Sequence, residues 1–412
     1  MNLKTETIEI DSIFFSIGRV ISVFYLLSLS TVLMPFYNVG INSFFLVATV
    51  LSIILFFLID PKQFRVFYST YFLILVGVYS LSFIVHFNVS RISSFLYSLF
   101  FLFSFCLTIP NLTRYLSIND FGKALRIMVY AFLIVMLMQQ VAVVSGFPII
   151  NLNPEFSEEF LGTLSWFRIN SLSSEPSYGA TILAIIMIVY FYLFRKSIEI
   201  IRFWIPALYT FICFNSSLAI ALVVLVILLF LAGKRVYFLI IISFIAITIL
   251  LNIKSENRLV ILVQELDFQD FTNSFISTDL SGAFRIIPNY FYFLQADPGN
   301  LNFYLGHGVD YATIYISRLM PGLEDDFNFP GGALPFLLFD YGVITFIAFC
   351  FFLLGNIRAG RLDVFCIFAI FVMINANFNT QLMWIFITLF YSCRFYLQQR
   401  ENQKANNLEE TT

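Results

Sequence analysis

The sequence predicts an all-α polytopic membrane protein with about twelve transmembrane helices, and three observations predict it. Of its 412 residues 60% are hydrophobic and 12% charged, whereas a soluble domain runs at roughly 45–50% apolar and about 25% charged. The apolar residues fall in blocks of about 17–22, the length a helix needs to cross a hydrocarbon core about 30 Å thick. Lysine and arginine are distributed unequally between the two alternating sets of connections.

The blocks place spans at about 13–34, 41–59, 66–87, 92–110, 127–147, 177–194, 203–216, 217–232, 236–252, 333–354, 364–378 and 380–393. Two pairs, 203–216/217–232 and 364–378/380–393, are short and read as thin hairpins or re-entrant helices. The breaks inside them, Asn215-Ser216-Ser217 and Asn375 to Asn379, are polar. Polar, irregular backbone at membrane depth is tolerated only where protein or a watery cavity surrounds it.

With the N-terminus inside, the inner segments carry seventeen Lys and Arg and the outer segments six: Arg91, Arg168, Lys254, Arg258, Arg285 and Arg318. Both termini are therefore expected to be cytoplasmic, an assignment consistent with an even number of crossings. The whole chain, 1–412, is expected to form a single membrane-embedded domain. Residues 1–12 carry Glu6, Glu9 and Asp11, and the first apolar block is long enough to stay as a span, so no cleaved leader is expected.

Several function classes are excluded. The net charge of −2 supplies no basic patch for nucleic acid. Cys106, Cys213, Cys350, Cys366 and Cys393 lie in or at the ends of apolar blocks without metal-ligand spacing, and read as small buried hydrophobes. The expected inner loops are too short for a nucleotide-binding domain and contain no Walker motif. No metal site and no cofactor are expected.

Two connections stand out, 148–176 and 253–332, and both fall outside. Loops beyond about 15 residues are usually functional or disordered. The second is rich in Phe and Tyr (Phe268, Phe271, Phe275, Phe284, Tyr290 to Phe293), so it is expected to fold, as short helices at the outer interface.

Three constellations lie on these loops. The first runs Arg168-Ile-Asn170-Ser171-Leu-Ser173-Ser174-Glu175-Pro176-Ser177-Tyr178-Gly179 and leads directly into an apolar helix. Pro176 suits the first helical turn, and Ser174 or Glu175 can cap it. A helix N-terminus with free N–H groups and a nearby arginine binds phosphate; the same residues also read as an ordinary cap with an interfacial Arg168–Glu175 pair. The second is Ser281-Gly282-Ala283-Phe284-Arg285 followed by Gly306-His307-Gly308-Val309-Asp310. A guanidinium in an apolar stretch needs an anionic partner, and glycines allow close backbone approach to a ligand or simply a turn. The third is Glu324-Asp325-Asp326, carboxylates that suit a base, a cation or a solvated turn. Asp340, inside an expected span, is costly to bury and hence suggestive of function.

Arg-x-x-Ser-x-x-x-Glu-Pro-Ser on one outer loop (Arg168 through Ser177), then Arg285 and Gly306-His307-Gly308 on a second, then Gly331-Gly332 and Asp340-Tyr341-Gly342, resemble the Wzy-type polysaccharide polymerases of the O-antigen ligase/polymerase superfamily. The resemblance implies a glycosyltransferase of the bacterial cytoplasmic membrane that joins undecaprenyl-diphosphate-linked repeat units for O-antigen, capsule or exopolysaccharide. It implies that Arg168, Arg285, Ser174, Ser177 and Tyr178 hold diphosphate or substrate. Such a reaction needs a base for the acceptor hydroxyl, and Glu175 or His307, with Asp326 behind them, is expected to be that base. It also implies membrane lipid, a chain-length regulator and a flippase as partners. The ligases' His-Asn pair is missing, since the matching stretch reads Asp325-Asp326-Phe327-Asn328. An O-antigen ligase and a flippase or other transporter of lipid-linked glycan are the alternatives.

Overall fold

The computed structural model describes residues 2–30, 43–59, 70–147, 169–173, 176–194, 199–214, 287, 292–312, 333–355 and 377–409. Every regular element among them is helical: α1 (Asn2–Ser30), α2 (Ser43–Ile59), α3 (Thr70–Val85), α4 (Ile92–Tyr115), α5 (Ile118–Ser145), α6 (Pro176–Phe194), a π-helical turn (Ile200–Trp204) running into α7 (Ile205–Phe214), α8 (Leu301–Leu305), α9 (Ala333–Gly355) and α10 (Gln381–Glu409). Among the described residues four stretches are long and apolar enough to cross a membrane: Ile92–Tyr115, Ile118–Ser145, Pro176–Phe194 and Phe336–Leu353. Shorter apolar helices cover Phe15–Ser30, Ser43–Leu58, Thr70–Val85 and Ile200–Phe214. Leu58, Ile84, Ile134 and Val141 point outward and are more than half exposed; a helix surface that apolar is at home against lipid. The chain is a helical membrane protein. The spans expected at 217–232, 236–252 and 364–378 lie largely or wholly outside the described residues.

Some helix limits differ from expectation. α5 starts nine residues before the span expected at 127, because Ser117 caps it: the Ser117 Oγ accepts the Asp120 N–H at 3.2 Å and donates to Asp120 Oδ2 at 2.7 Å. That Ser-x-x-Asp box is legible in the sequence and marks the start better than hydropathy does. α4 continues through Pro110 to Tyr115. α10 begins with the span expected at 380–393 and runs past its end, 29 residues in all, because its polar second half continues the helix after the apolar part ends.

The chain divides into two compact units. Unit 1 comprises 1–69, 100–219 and 384–412. Its helices are joined by the side-chain hydrogen bonds that hold apolar helices together where burial alone gives no drive. Thr49 and Ser104 hydroxyls meet at 3.1 Å, and Asn111 Nδ2 donates to the Ser52 carbonyl and hydroxyl at 2.7 and 2.9 Å. Arg19 reaches Asp120 at 3.7 Å, Arg126 pairs with Glu199, and Arg400 donates to the Leu193 carbonyl at 2.7 Å. These three cations were all assigned to inner segments, and they tie α1 to α5, α5 to the π turn and α10 to α6. Tyr190 stacks on Phe203 of the π turn at 3.6 Å between centroids. Cys106, Cys213 and Cys393 are buried and unbridged, as small hydrophobes should be.

Unit 2 comprises 70–99 and 220–383. Its core is aromatic: Tyr79 packs on Phe95 at 5.2 Å and on Tyr341 at 4.9 Å, and Tyr341 packs on Phe378 at 5.4 Å.

Candidate functional site

α9 is continuous in sequence but broken in geometry. Gly342 has φ 77° and ψ 171°, outside the helical region. A break there strips the preceding carbonyls of their i+4 donors, and unsatisfied carbonyls in an apolar interior are costly. The segment 305–312 supplies the missing donors. The main-chain N–H of His307 bonds to the Phe339 carbonyl at 3.0 Å, and that of Gly308 to the Asp340 carbonyl at 3.1 Å. Gly306, at φ 80°, sits so close to Asp340 that a Cβ would overlap its carbonyl; a Cβ on Gly342 would overlap the Tyr304 carbonyl. The glycines flanking His307 and the glycine of the Asp-Tyr-Gly stretch thus make one docked junction.

Asp340 completes it. The side chain is fully buried, and Oδ2 and Oδ1 accept the N–H groups of Asp310 and Ala312 at 3.0 and 2.8 Å. Asp310, at φ 65°, turns its own carboxylate the other way, to Arg91 Nη1 and the Ser94 hydroxyl, both at 3.0 Å. α3 and the turn that follows it bind the same segment at three further points. Ser82 donates to the Leu305 carbonyl at 2.6 Å, Arg91 N–H to the Val309 carbonyl at 3.0 Å, and Val309 N–H to the Ser90 hydroxyl at 3.0 Å. Two regions assigned outside, the turn carrying Arg91 and the loop carrying His307, are therefore joined.

His307 lies parallel to Phe339 at 4.2 Å and to Tyr311 at 5.9 Å. Its Nδ1 is 3.0 Å from the Phe339 carbonyl. A carbonyl only accepts, so the proton is assigned to Nδ1 and the lone pair to Nε2. Burial pushes the imidazole pKa below 6.5, opposed but not cancelled by the Phe339 bond. The ring is neutral at pH 7 and is competent to take a proton. His86, close to Gly308, is held below 6.5 by burial and by the neighbouring His307. His307 also lines a cavity of about 260 Å³ beside Phe303 and Phe339.

Only part of the first constellation is described. The part of the 148–176 loop that is described, 169–173, is packed into the protein: Ile169, Asn170, Ser171 and Ser173 are buried to 1% exposure or less. The turn reaches the middle of α5. The Ser171 hydroxyl donates to the Phe132 carbonyl at 2.6 Å, while Gln139 accepts from Ser171 N–H at 2.9 Å and donates to Asn170 Oδ1 at 3.0 Å. Polar side chains lower it into the bundle by satisfying its backbone, a requirement hydropathy does not register. Pro176 is the first residue of α6, and Ser177 and Tyr178 sit half-buried in that helix's first turn. Arg168, Ser174, Glu175, Arg285 and Asp326 lie outside the described residues. Ser177 and Tyr178 belong to unit 1 and His307 to unit 2.

Sequence reasoning missed the roles of Arg91 and Ser94, and named Asp310 without its part in the junction. Arg91 stood out only as one of few outer cations, and Asp310 only as the end of Gly-His-Gly-Val-Asp. Among the described residues no cluster of His, Cys, Asp and Glu has the makings of a metal site. No family model matches the chain, and neither a curated protein nor a solved structure matches it.

Proposed function

We propose that the chain is a polysaccharide polymerase of the bacterial cytoplasmic membrane, with about twelve crossings and both termini inside, which extends glycans carried on undecaprenyl diphosphate. The observation that carries this reading is the Gly306–Gly308 turn, which holds a neutral, tautomer-defined imidazole at a cavity on a segment assigned to the outer face. In the reaction the bond between the donor glycan's anomeric carbon and its diphosphate oxygen breaks, and a bond from that carbon to an acceptor hydroxyl oxygen forms. The hydroxyl proton passes to His307 Nε2, and lipid diphosphate leaves with the electron pair. Arg168 and Arg285 are assigned to the diphosphate, whose growing charge needs fixed cationic donors. Glu175 and Asp326 are the remaining candidates for the base. The sugar–diphosphate bond is already activated, so no nucleotide is required.

A second reading, a transporter of lipid-linked glycan, draws on the broken helix α9 with its buried Asp340. Against it, both Asp340 oxygens are already occupied by backbone N–H groups. Deleting the gene and resolving surface polysaccharide by size separates the readings. Collapse of the ladder to single exported repeat units supports the polymerase. Long polymer stranded on its lipid indicates a ligase, and single units trapped on the cytoplasmic side indicate a transporter. Arg168→Ala and Arg285→Ala should each abolish long polymer at unchanged protein level; polymer retained in either removes that arginine from the mechanism.

A further inference from the structure

The cavity beside His307 has a composition that the proposed reaction does not by itself explain. It lies within unit 2, between the segment 292–307 and one face of α9, and its volume is about 260 Å³. Small-molecule sites run about 300–1,000 Å³, so this one suits a single ring better than an oligosaccharide or a prenyl chain. Its apolar wall is aromatic, with Tyr292 stacked on Phe339 at 4.6 Å and Phe303 alongside.

Its polar groups are neutral or acidic. Asp297 Oδ1 accepts Gly299 N–H at 2.9 Å, leaving Oδ2 open, and Asn300 uses its side-chain oxygen to cap α8 through Asn302 N–H at 2.9 Å. The Asn302 side chain makes no hydrogen bond to a described residue, and the Tyr292 hydroxyl is buried without one. Among the described residues no Lys or Arg lines the cavity. A carboxylate without a cation repels phosphate, so the diphosphate of a lipid carrier is the wrong occupant. A flat apolar wall facing amide, carboxylate and hydroxyl groups suits a neutral polyol ring, whose C–H face packs on aromatics and whose hydroxyls pair with the polar edge.

We infer that this cavity is a subsite for one neutral sugar ring, the residue that presents the acceptor hydroxyl to His307. Asp297 and Asn302 grip its other hydroxyls, and Phe339 and Tyr292 form the wall against which it lies. The inference rests on the polymerase reading for the word acceptor, but the binding of a sugar does not depend on it.

The test uses the full-length protein in nanodiscs and saturation-transfer NMR with the methyl glycosides of glucose, galactose, N-acetylglucosamine and rhamnose, and with inorganic pyrophosphate as the anionic probe. The expected result is saturation transfer to at least one glycoside, with the dissociation constant raised about tenfold in Asp297→Asn and in Asn302→Ala, the loss of one hydrogen bond to a buried partner. Asp297 is exposed and Asn302 half-buried, and the Asn302 side chain holds no partner among the described residues, so the variants should keep the wild-type melting temperature. Absence of transfer to every glycoside overturns the proposal, as does affinity unchanged within twofold in both variants, or pyrophosphate displacing the bound glycoside. The gene-deletion ladder is read separately: a ladder that survives deletion ends the polymerase reading even if glycosides bind, and a ladder that collapses while no glycoside binds ends only the subsite.

Discussion

Asp340 Oδ2 accepts the main-chain N–H of Asp310 at 3.0 Å, and through that bond a buried carboxylate in a broken helix holds the segment that carries His307. The adjacent bond from Ala312 N–H to Oδ1 makes the hold two-pronged. A buried acid in a membrane helix invites a transport or proton-relay role, but here its oxygens are committed to anchoring backbone.

Asp340→Ala leaves two buried N–H groups without acceptors, each costing about 1–3 kcal/mol. The expected outcome is a loss of about 2–5 kcal/mol and early proteolysis within 301–312. Asp340→Asn keeps one acceptor oxygen and should lose about half as much. Limited proteolysis and thermal melting in detergent read both; equal stability of Asp340→Ala and wild type would show that the segment docks without this anchor.

Gly306→Ala and Gly342→Ala each drive a Cβ into backbone rather than into a movable side chain. Both glycines also have positive φ. The loss should exceed the about 1–3 kcal/mol of backbone strain alone, seen as failure to accumulate or a large fall in melting temperature. Gly77→Ala is the control. Its Cβ would meet nothing within 4 Å and it lies inside α3, so alanine should stabilise by about 0.5–1 kcal/mol.

Gln139→Leu removes the side chain that both donates to Asn170 and accepts from Ser171. Two buried groups are left unpaired at the level of mid-α5, for a cost of about 2–5 kcal/mol. Gln140→Leu should cost less, because its partners, the Tyr209 hydroxyl and the Cys213 thiol, include a weak acceptor and a half-exposed phenol. The comparison is made by melting temperature, and the reverse order would contradict the assigned hydrogen bonds.

The pH response follows from His307 and His86, whose pKa values in the fold lie below 6.5. A group with a depressed imidazole pKa binds fewer protons folded than unfolded. Its contribution to stability is complete above 6.5 and is lost as pH falls toward the folded value. Melting temperature should therefore fall on acidification from pH 7 to 5. Polymer formation, if His307 is the base, should hold constant through pH 6.5 and fall below it. His307→Gln should remove that acid limb along with most activity; an unchanged limb would assign the titration to another group.

Arg91 and Asp310 should couple weakly despite a 3.0 Å separation, because the arginine side chain is 56% exposed. A double-mutant cycle with Arg91→Ala and Asp310→Asn should give below about 1 kcal/mol. Asparagine is chosen because it tolerates the positive φ at this position. A coupling of several kcal/mol would show that the pair is far better shielded than its exposure indicates.

By itself the sequence determined the membrane class, the start of α6 at Pro176, the grouping of Arg19, Arg126 and Arg400 on one side, and the interest of His307 and Asp340. Each of those is a local property: a run of apolar residues, a proline fitting a first turn, a basic residue near a helix end. The break at Gly342, the lowering of Asn170 and Ser171 into the bundle, and the Arg91–Asp310–Ser94 contact were decided by tertiary structure. The physical reason lies in the backbone. A freed carbonyl or N–H must find a partner wherever the chain can bring one, and here the partners lie about 30 residues away for Asp340 and Gln139 and 219 away for Arg91. Hydropathy sums over neighbours in the chain and cannot see such pairings. The glycines at 306 and 342 are silent on hydropathy scales, yet they permit the close approach on which the whole junction depends.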